Sequence, residues 1–227
     1  MISSSRISSE GSSLRVQGRR PLIMSRVGLD WVHPCVCRGD RLTDCHVASP
    51  ASNAAAAEIT VWPADKSGRI FVDVSGDIAV GDEKTFGEKT ANLDADHISL
   101  VSDGGNSITG GSIGDIIRFR GMNIYVPPNA TCASICAFIW LAGSAKFVAN
   151  SSHIGVHGAY NTHTLQPSNE MNILLAVYLA QLSYNYDDVL WMLLPPPGNM
   201  HWLTPETAKE HHIYWAELSP TRKQSPL

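Results

Sequence analysis

Three short segments of the chain carry the residue types that acyl-transfer chemistry needs. Gly104-Gly105 follows a strand-like segment, and Ser134 stands at the start of an apolar run. His157 ends a second strand-like segment. This chemistry requires a nucleophilic hydroxyl, a base that accepts its proton, and N–H donors for the developing oxyanion. The seryl hydroxyl can act as the nucleophile, and imidazole is the side chain best suited to a general base at neutral pH.

Backbone donors for an oxyanion stand next to these residues. A Gly-Gly turn can bring its N–H groups close to a substrate carbonyl because no Cβ blocks the approach. A helix N-terminus also offers aligned N–H groups and a positive dipole end. Gly104, Gly105 and Ile135 are therefore the candidate oxyanion-hole residues. Each signal alone also fits a structural role, since a Ser at a helix start commonly caps the helix.

The elements that must position these residues alternate between strand and helix in the first half of the domain. Alternation of apolar residues predicts strands, and apolar residues at helical spacing predict helices. The predicted elements are a strand over 69–76, a weak helix over 79–92, a strand over 97–102, a helix over 108–120 and a strand over 123–126. This order favours βαβ crossovers and a parallel sheet.

The second half of the domain is more helical. It contains a buried helix over 133–141, strands over 146–148 and 153–157, a long helix over 169–184 and a last helix that Thr204 caps. The sequence thus predicts an α/β domain with a mostly parallel sheet and a helical C-terminal part. Neither a dinucleotide fingerprint nor a P-loop is present, because the glycines after each strand lack both spacings.

Charge divides the 227-residue chain into two parts. Residues 1–57 hold seven Arg and no Lys against four acidic residues, whereas the remainder carries a charge of −7. An Arg- and Ser-rich start is typical of a targeting segment or flexible tail. We predict a disordered or targeting-like leader over 1–57, the α/β domain over 58–218 and a tail over 219–227. The net charge of −4 argues against a nucleic-acid partner, and no apolar run reaches the ~20 residues of a membrane span.

The cysteines and histidines do not predict a metal site. Cys132 and Cys136 are four residues apart, which would place them on one helix face. Such a pair could approach closely, but we interpret the two as small buried apolar residues. The leader's Cys and His residues lack the CxxC spacing of structural zinc sites. His153 and His157 would lie about 13 Å apart along a strand, too far to share one ion.

In this order, the segments resemble a known family. GRIFVDVSGDI is similar to its first core strand, LVSDGGNSITGGSIGDIIRF to its oxyanion segment, and CASICAFIWLAGSAKFVANSSHIGVHGAY to its nucleophile helix and base-bearing strand. Residues 69 to about 160 resemble the Clp-protease proteolytic subunit of the ClpP/crotonase superfamily, with a looser match through LTPETAKEH. The resemblance in detail is to an uncharacterised, often exported bacterial branch with Cys-Ala-Ser-x-Cys. It implies a fold of stacked ββα units.

The resemblance also implies site roles. It makes Ser134 the nucleophile and His157 the general base, with the N–H groups of Gly104 or Gly105 and of Ile135 as the oxyanion hole. The chain departs from the family pattern in the Gly-Gly segment, where an aspartate stands in place of the usual proline before the glycines.

The third triad position shows a second departure. The family's usual Asp aligns with Met200, and the adjacent Asn199 is our candidate orienting residue, since Asn serves that role in papain-like enzymes. Asp187 and Asp188 are further candidates, which we interpret instead as solvated charges at a helix start. Lys146 as the base of a Ser-Lys dyad is disfavoured, because it reads as a surface turn residue.

The resulting hypothesis is a serine peptidase-like hydrolase that cleaves peptide or other acyl bonds through an acyl-serine intermediate. Two alternatives stay open: a catalytically inactive ClpP-like binding or assembly module, and a crotonase-type acyl-CoA enzyme. The resemblance implies a peptide or protein substrate, a homo-oligomer and no cofactor or metal. Processive degradation would need a separate ATPase. It also implies the bacterial periplasm or export, with the cytoplasm as the alternative.

Overall fold

The computed structural model of the protein describes residues 56–93 and 95–218. Nearly all of the predicted leader over 1–57, with its cysteines, and the predicted tail over 219–227 lie outside these residues. The proposed division of the chain into leader, domain and tail therefore stays a prediction.

Short strands and helices alternate along the described residues. The strands are β1 (Glu58–Val61), β2 (Ile70–Ser75), β3 (Ala95–Val101), β4 (Asn123–Val126), β5 (Thr131–Ala133), β6 (Lys146–Ala149), β7 (His153–Val156), β8 (His201–Trp202) and β9 (Ala216–Leu218). The helices are α1 (Asp82–Thr90), α2 (Ser107–Phe119), α3 (Ile135–Leu141), α4 (Asn169–Gln181), α5 (Tyr186–Leu193) and α6 (Pro205–Glu210).

The main sheet has six strands in the order β1-β2-β3-β4-β6-β9. Only β1 runs antiparallel to its neighbour, and the other four pairings are parallel. Helices α1 and α2 provide the crossovers between β2, β3 and β4, as the alternation in the sequence predicts. The mixed α/β class with a mostly parallel sheet is thus confirmed.

A second sheet of three strands, β5-β7-β8, lies at the end of the main one. Strands β5 and β7 are parallel, whereas β7 and β8 are antiparallel. A single bridge between Ser102 and Cys132 connects the residue after β3 to β5. Strands β5 and β7 of this small sheet end directly before Ser134 and His157, two of the candidate catalytic residues.

Helix α3 forms the centre of the core. All seven of its residues are buried, which explains why the run from Ile135 to Leu141 is apolar on every side. Tyr178 on α4 donates a hydrogen bond from its hydroxyl to the Phe138 carbonyl on α3 at 3.0 Å. The bond ties the C-terminal helices to the core, because it gives the buried hydroxyl a partner.

Two boundaries differ from the predicted elements. The predicted helix over 133–141 begins only at Ile135, since residues 131–133 pair with β7 as a strand. The predicted helix over 169–184 ends at Gln181, and a separate helix, α5, follows it. Thr204 does cap α6, with Pro205 at its first position. None of the helices in the described residues is long and apolar enough to cross a membrane.

Candidate active site

Ser134 occupies a sharp turn between β5 and α3. Its backbone has φ 57° and ψ −129°, a combination that residues other than glycine rarely adopt. Two hydrogen bonds hold it: its N–H donates to the Gly155 carbonyl at 2.9 Å, and its carbonyl accepts from the Ala137 N–H at 3.0 Å. The half-buried side chain does not cap the helix, so its hydroxyl is not used in the turn. A strand-turn-helix of this kind presents a nucleophile in hydrolases.

The Gly-Gly segment packs directly against this hydroxyl. A Cβ added to Gly104 would lie 2.6 Å from Ser134 Cβ and 3.0 Å from Ser134 Oγ, so no larger residue fits beside the serine. The Gly104 N–H donates to Ser102 Oγ at 3.1 Å and is therefore already used. Within the described residues, the N–H groups of Gly105 and Ile135 donate to no protein atom. These two are the donors that a substrate oxyanion could engage.

His157 reaches the same end of the small sheet. Ala133 pairs with Gly155, so continuing the parallel register sets Ser134 opposite Val156, one residue before His157. The imidazole is 5% exposed, and its Nδ1 lies 2.7 Å from the Gly158 carbonyl. Since a carbonyl only accepts, Nδ1 is the donor in this contact, which in the neutral ring leaves Nε2 as the acceptor. No hydrogen bond joins Ser134 and His157 in the part of the chain described here.

A disulfide between Cys132 and Cys136 encloses the serine. The first half-cystine lies on β5 and the second in the first turn of α3, with 5.2 Å between their Cα atoms. The interpretation as two separate apolar residues on one helix face is therefore wrong. It fails because residue 132 pairs as a strand, which turns the two side chains towards each other. In the sequence, the two cysteines stand two residues before and two residues after Ser134, and this symmetric spacing was the signal that could have indicated the disulfide.

The third triad position holds no carboxylate. Strands β7 and β8 pair Val156 with His201, so continuing the antiparallel register by one residue sets His157 opposite Met200. Asn199 is exposed in the 3-10 turn Pro197–Asn199, where its N–H donates to the Pro196 carbonyl at 2.9 Å. In the described structure the imidazole contact is with the Gly158 carbonyl instead. No sequence pattern predicts this backbone acceptor.

Comparison with known proteins bears on the fold. No protein-family model and no curated protein matches the chain. ClpP1 from Listeria monocytogenes superposes with a TM-score of 0.51 at 17% identity, over 66% of this chain and 91% of that chain. The 1510-N membrane-bound stomatin-specific protease, as a lysine-to-alanine mutant in complex with a substrate peptide, gives 0.51 and 17% over 66% of this chain and 74% of that one. The chain has a ClpP-like fold.

Within this ClpP-like fold, the other candidate residues lie apart from Ser134. Lys146 is the first residue of β6, beyond the C-terminal end of α3, and is half-buried in a strand rather than exposed in a turn; its Nζ donates to the Gly143 carbonyl at 3.1 Å. Burial lowers the pKa of its ammonium.

Asp188 is only 2% exposed, so its interpretation as a solvated helix-start charge is wrong. Its carboxylate lies 3.4 Å from His211 Nδ1 and 3.2 Å from His212 Nδ1, because α5 and the end of α6 pack together.

A groove lies between α2 and α4. Helix α2 begins two residues after Gly105, and Asn172 on α4 accepts a hydrogen bond from the Ala159 N–H, two residues after His157. The groove is lined by Ser107, Ile108, Met171, Leu174 and Val177, among others. Ser134, His157, Gly104, Gly105 and Ile135 are not among the residues that line this groove.

No group of three or more His, Cys, Asp or Glu side chains in residues 56–93 and 95–218 is arranged to hold a metal ion. His153 is exposed and contacts Trp202 edge-on, with 6.1 Å between their ring centres. The candidate site therefore consists of backbone N–H groups, one hydroxyl and one imidazole.

Proposed function

We propose that the protein is a serine peptidase-like hydrolase that cleaves peptide or other acyl bonds through an acyl-Ser134 intermediate. The observation that carries the proposal is the backbone of Ser134. A serine with positive φ between a strand and a buried helix, with a glycine packed against it and its hydroxyl bound to no residue within 56–93 or 95–218, has no evident structural purpose. Strained backbone of this kind clusters at functional sites.

The proposed reaction uses the residues around that serine. His157 Nε2 accepts the hydroxyl proton while Ser134 Oγ attacks the substrate carbonyl carbon. The resulting oxyanion is stabilised by the N–H groups of Gly105 and Ile135. The C–N or C–O bond then breaks, and the leaving group takes the proton from the imidazole. Water repeats the sequence on the acyl-enzyme and releases the acid. Catalytic contacts tighten when substrate binds, so the Ser134–His157 hydrogen bond forms in that complex.

Labelling with a fluorophosphonate probe, measured by intact mass spectrometry, tests the proposal. We expect one adduct on the wild-type protein and none on Ser134→Ala, with slower labelling of His157→Gln. Ser112→Ala is the matched control, because that hydroxyl is also half-buried but donates to the Ile108 carbonyl at 3.0 Å on α2. An unlabelled wild-type protein, or equal labelling of Ser134→Ala, would contradict the proposal.

A catalytically inactive binding or assembly module is the second candidate function. It is favoured by the third triad position, where Met200 offers no carboxylate to the imidazole. The same labelling experiment separates the two, since an inactive module leaves the hydroxyl unreactive. The crotonase-type alternative predicts that coenzyme A raises the melting temperature, and an unchanged value would remove it.

The setting of the enzyme is also part of the proposal. We infer that it works in an oxidising compartment, such as the bacterial periplasm, because disulfides persist there. A peptide or protein substrate, a homo-oligomer and a separate ATPase for processive degradation follow from the family resemblance.

A further inference from the structure

The bond between Cys132 and Cys136 closes a five-residue ring whose central residue is the candidate nucleophile. We propose that this disulfide is a positioning element for Ser134. It holds the serine in its reactive backbone conformation, so that breaking the bond lowers the reactivity of Ser134 in a domain that stays folded. The inference rests on the proposed function and assigns a role to two residues that do not themselves touch the substrate.

Both ends of the ring are anchored in rigid parts of the molecule. Cys132 is fully buried and pairs with Ile154 on β7 and with Ser102 after β3. Cys136 is fully buried in α3, the helix at the centre of the core. The disulfide therefore adds a second covalent connection between β5 and α3, which are otherwise joined along the chain through Ser134.

The backbone inside the ring needs such a constraint. A strained backbone conformation like that of Ser134 persists only where several surrounding contacts enforce it together. The hydrogen bonds at Gly155 and Ala137 hold the peptide groups of the serine, but neither limits the separation of β5 from α3. The ring also contains Ile135, whose N–H is one of the two available oxyanion donors. One covalent bond thus sets the spacing between the nucleophile and a donor.

Reduction of the bond is a balanced two-electron step. A small-molecule dithiol supplies two electrons and two protons, the S–S bond becomes two thiols, and the dithiol closes to its own cyclic disulfide. Both half-cystines are buried, so the reductant reaches them only when the site opens locally, and long incubation is needed. We expect the domain to stay folded without the bond, because α3 is surrounded by other buried apolar residues.

The experiment compares the oxidised and reduced forms of the full chain. Cys35, Cys37 and Cys45 are first replaced by Ala, so that any effect of the dithiol arises at the remaining pair. Fluorophosphonate labelling is followed over time, which gives a rate per reactive molecule and a final labelled fraction. Reduction, or Cys132→Ala with Cys136→Ala, should slow the rate about 10- to 100-fold at an unchanged final fraction. Reoxidation should restore the rate in the reduced protein but not in the double variant.

Two results would overturn the inference. An unchanged rate in the reduced, folded protein would show that the ring does not position the serine. A lower final fraction at an unchanged rate would assign the bond to stability alone.

Hydrogen exchange of the peptide over 131–141 separates this inference from the proposed function. We expect greater deuterium uptake after reduction whether or not the oxidised protein is labelled by the probe. Greater uptake together with no labelling would contradict the proposed function but not the positioning role. Equal uptake in both forms would contradict the positioning role.

Discussion

At the scale of single residues, the imidazole of His157 has an unusual partner. The Gly158 carbonyl accepts its Nδ1–H at 2.7 Å and so selects the tautomer that a general base requires. A neutral carbonyl stabilises the imidazolium less than a carboxylate does, because it carries only a partial negative charge. We therefore expect a functional but slow base. Continuing the register of β7 and β8 sets Met200 opposite His157, and we propose this position for an added negative charge.

Met200→Asp should raise the rate of Ser134 labelling and of acyl-ester hydrolysis at least about tenfold. A carboxylate beside the imidazole stabilises the charge that forms during attack, and its loss from a complete triad costs far more than this. The measurement is the labelling rate and kcat/KM for a chromogenic ester at neutral pH.

Met200→Asn is the matched control, since it has a similar size but no charge. A rate increase of equal size in both variants would mean that side-chain shape, rather than charge, limits the base. An unchanged rate in a folded Met200→Asp protein would contradict the assignment of this position.

At the scale of elements, the segment between β3 and α2 is held tightly in place. The Ile78 N–H donates to the Gly104 carbonyl, and the Asn106 N–H donates to the Ile78 carbonyl, both at 2.7 Å. Gly105 lies between these two bonds with φ 136°, and an added Cβ would collide with the Ile78 carbonyl. Asn106 then caps α2. The glycine-rich turn is thus a rigid part of the site.

Gly105→Ala should lower the free energy of unfolding by about 2–3 kcal/mol and slow the labelling of Ser134, because it combines a steric overlap with a backbone conformation that alanine avoids. Urea unfolding measures the first effect. Gly111→Ala is the control: it lies inside α2, its added Cβ would meet no atom within 4 Å, and we expect a gain of about 0.5–1 kcal/mol. Equal stability of Gly105→Ala and the wild-type protein would be inconsistent with this account.

At the scale of the whole molecule, buried tyrosines connect the C-terminal helices to the core. Burial raises the pKa of the Tyr178 hydroxyl above its usual range, and the same holds for Tyr184, where the Asp188 carboxylate adds to the effect. A folded-state pKa above the unfolded value means that stability is intact below about pH 10 and falls as pH rises through the folded pKa. The molecule should therefore unfold at alkaline pH.

Tyr178→Phe should cost about 1 kcal/mol at pH 8, because the hydrogen bond to the Phe138 carbonyl is lost. Between about pH 9 and pH 11 the variant should lose less stability than the wild-type protein, since one buried group no longer has to ionise. Urea unfolding at several pH values measures both effects. Tyr186→Phe, at a site 74% exposed, is the control and should change neither value. An equal loss of unfolding free energy with rising pH in Tyr178→Phe and in the wild-type protein would contradict the expectation.

The sequence predicted most of the main sheet because its elements are long enough to show a period. Strands β2, β3 and β4 and helix α2 lie close to the predicted ranges. The three residues of β5 are too few to show alternation, so the apolar run around Cys132 was interpreted as one helix. The boundary between β5 and α3 sets the backbone conformation of Ser134 and the disulfide partner of Cys132. The local spacing of apolar residues does not reveal this boundary.

The sequence by itself determined the α/β class, the order of the Gly-Gly, Ser and His segments, and which residues are candidates for chemistry. These follow from local periodicity and from residue type. Only the tertiary structure decided the turn at Ser134, the disulfide around it and the carbonyl that His157 contacts. The turn depends on β7, which is distant in sequence and whose Gly155 carbonyl accepts the Ser134 N–H, because strand register sets which backbone groups meet. The disulfide and the His157 contact join residues that are close in sequence, but they require the strand-turn-helix geometry that residue type does not reveal.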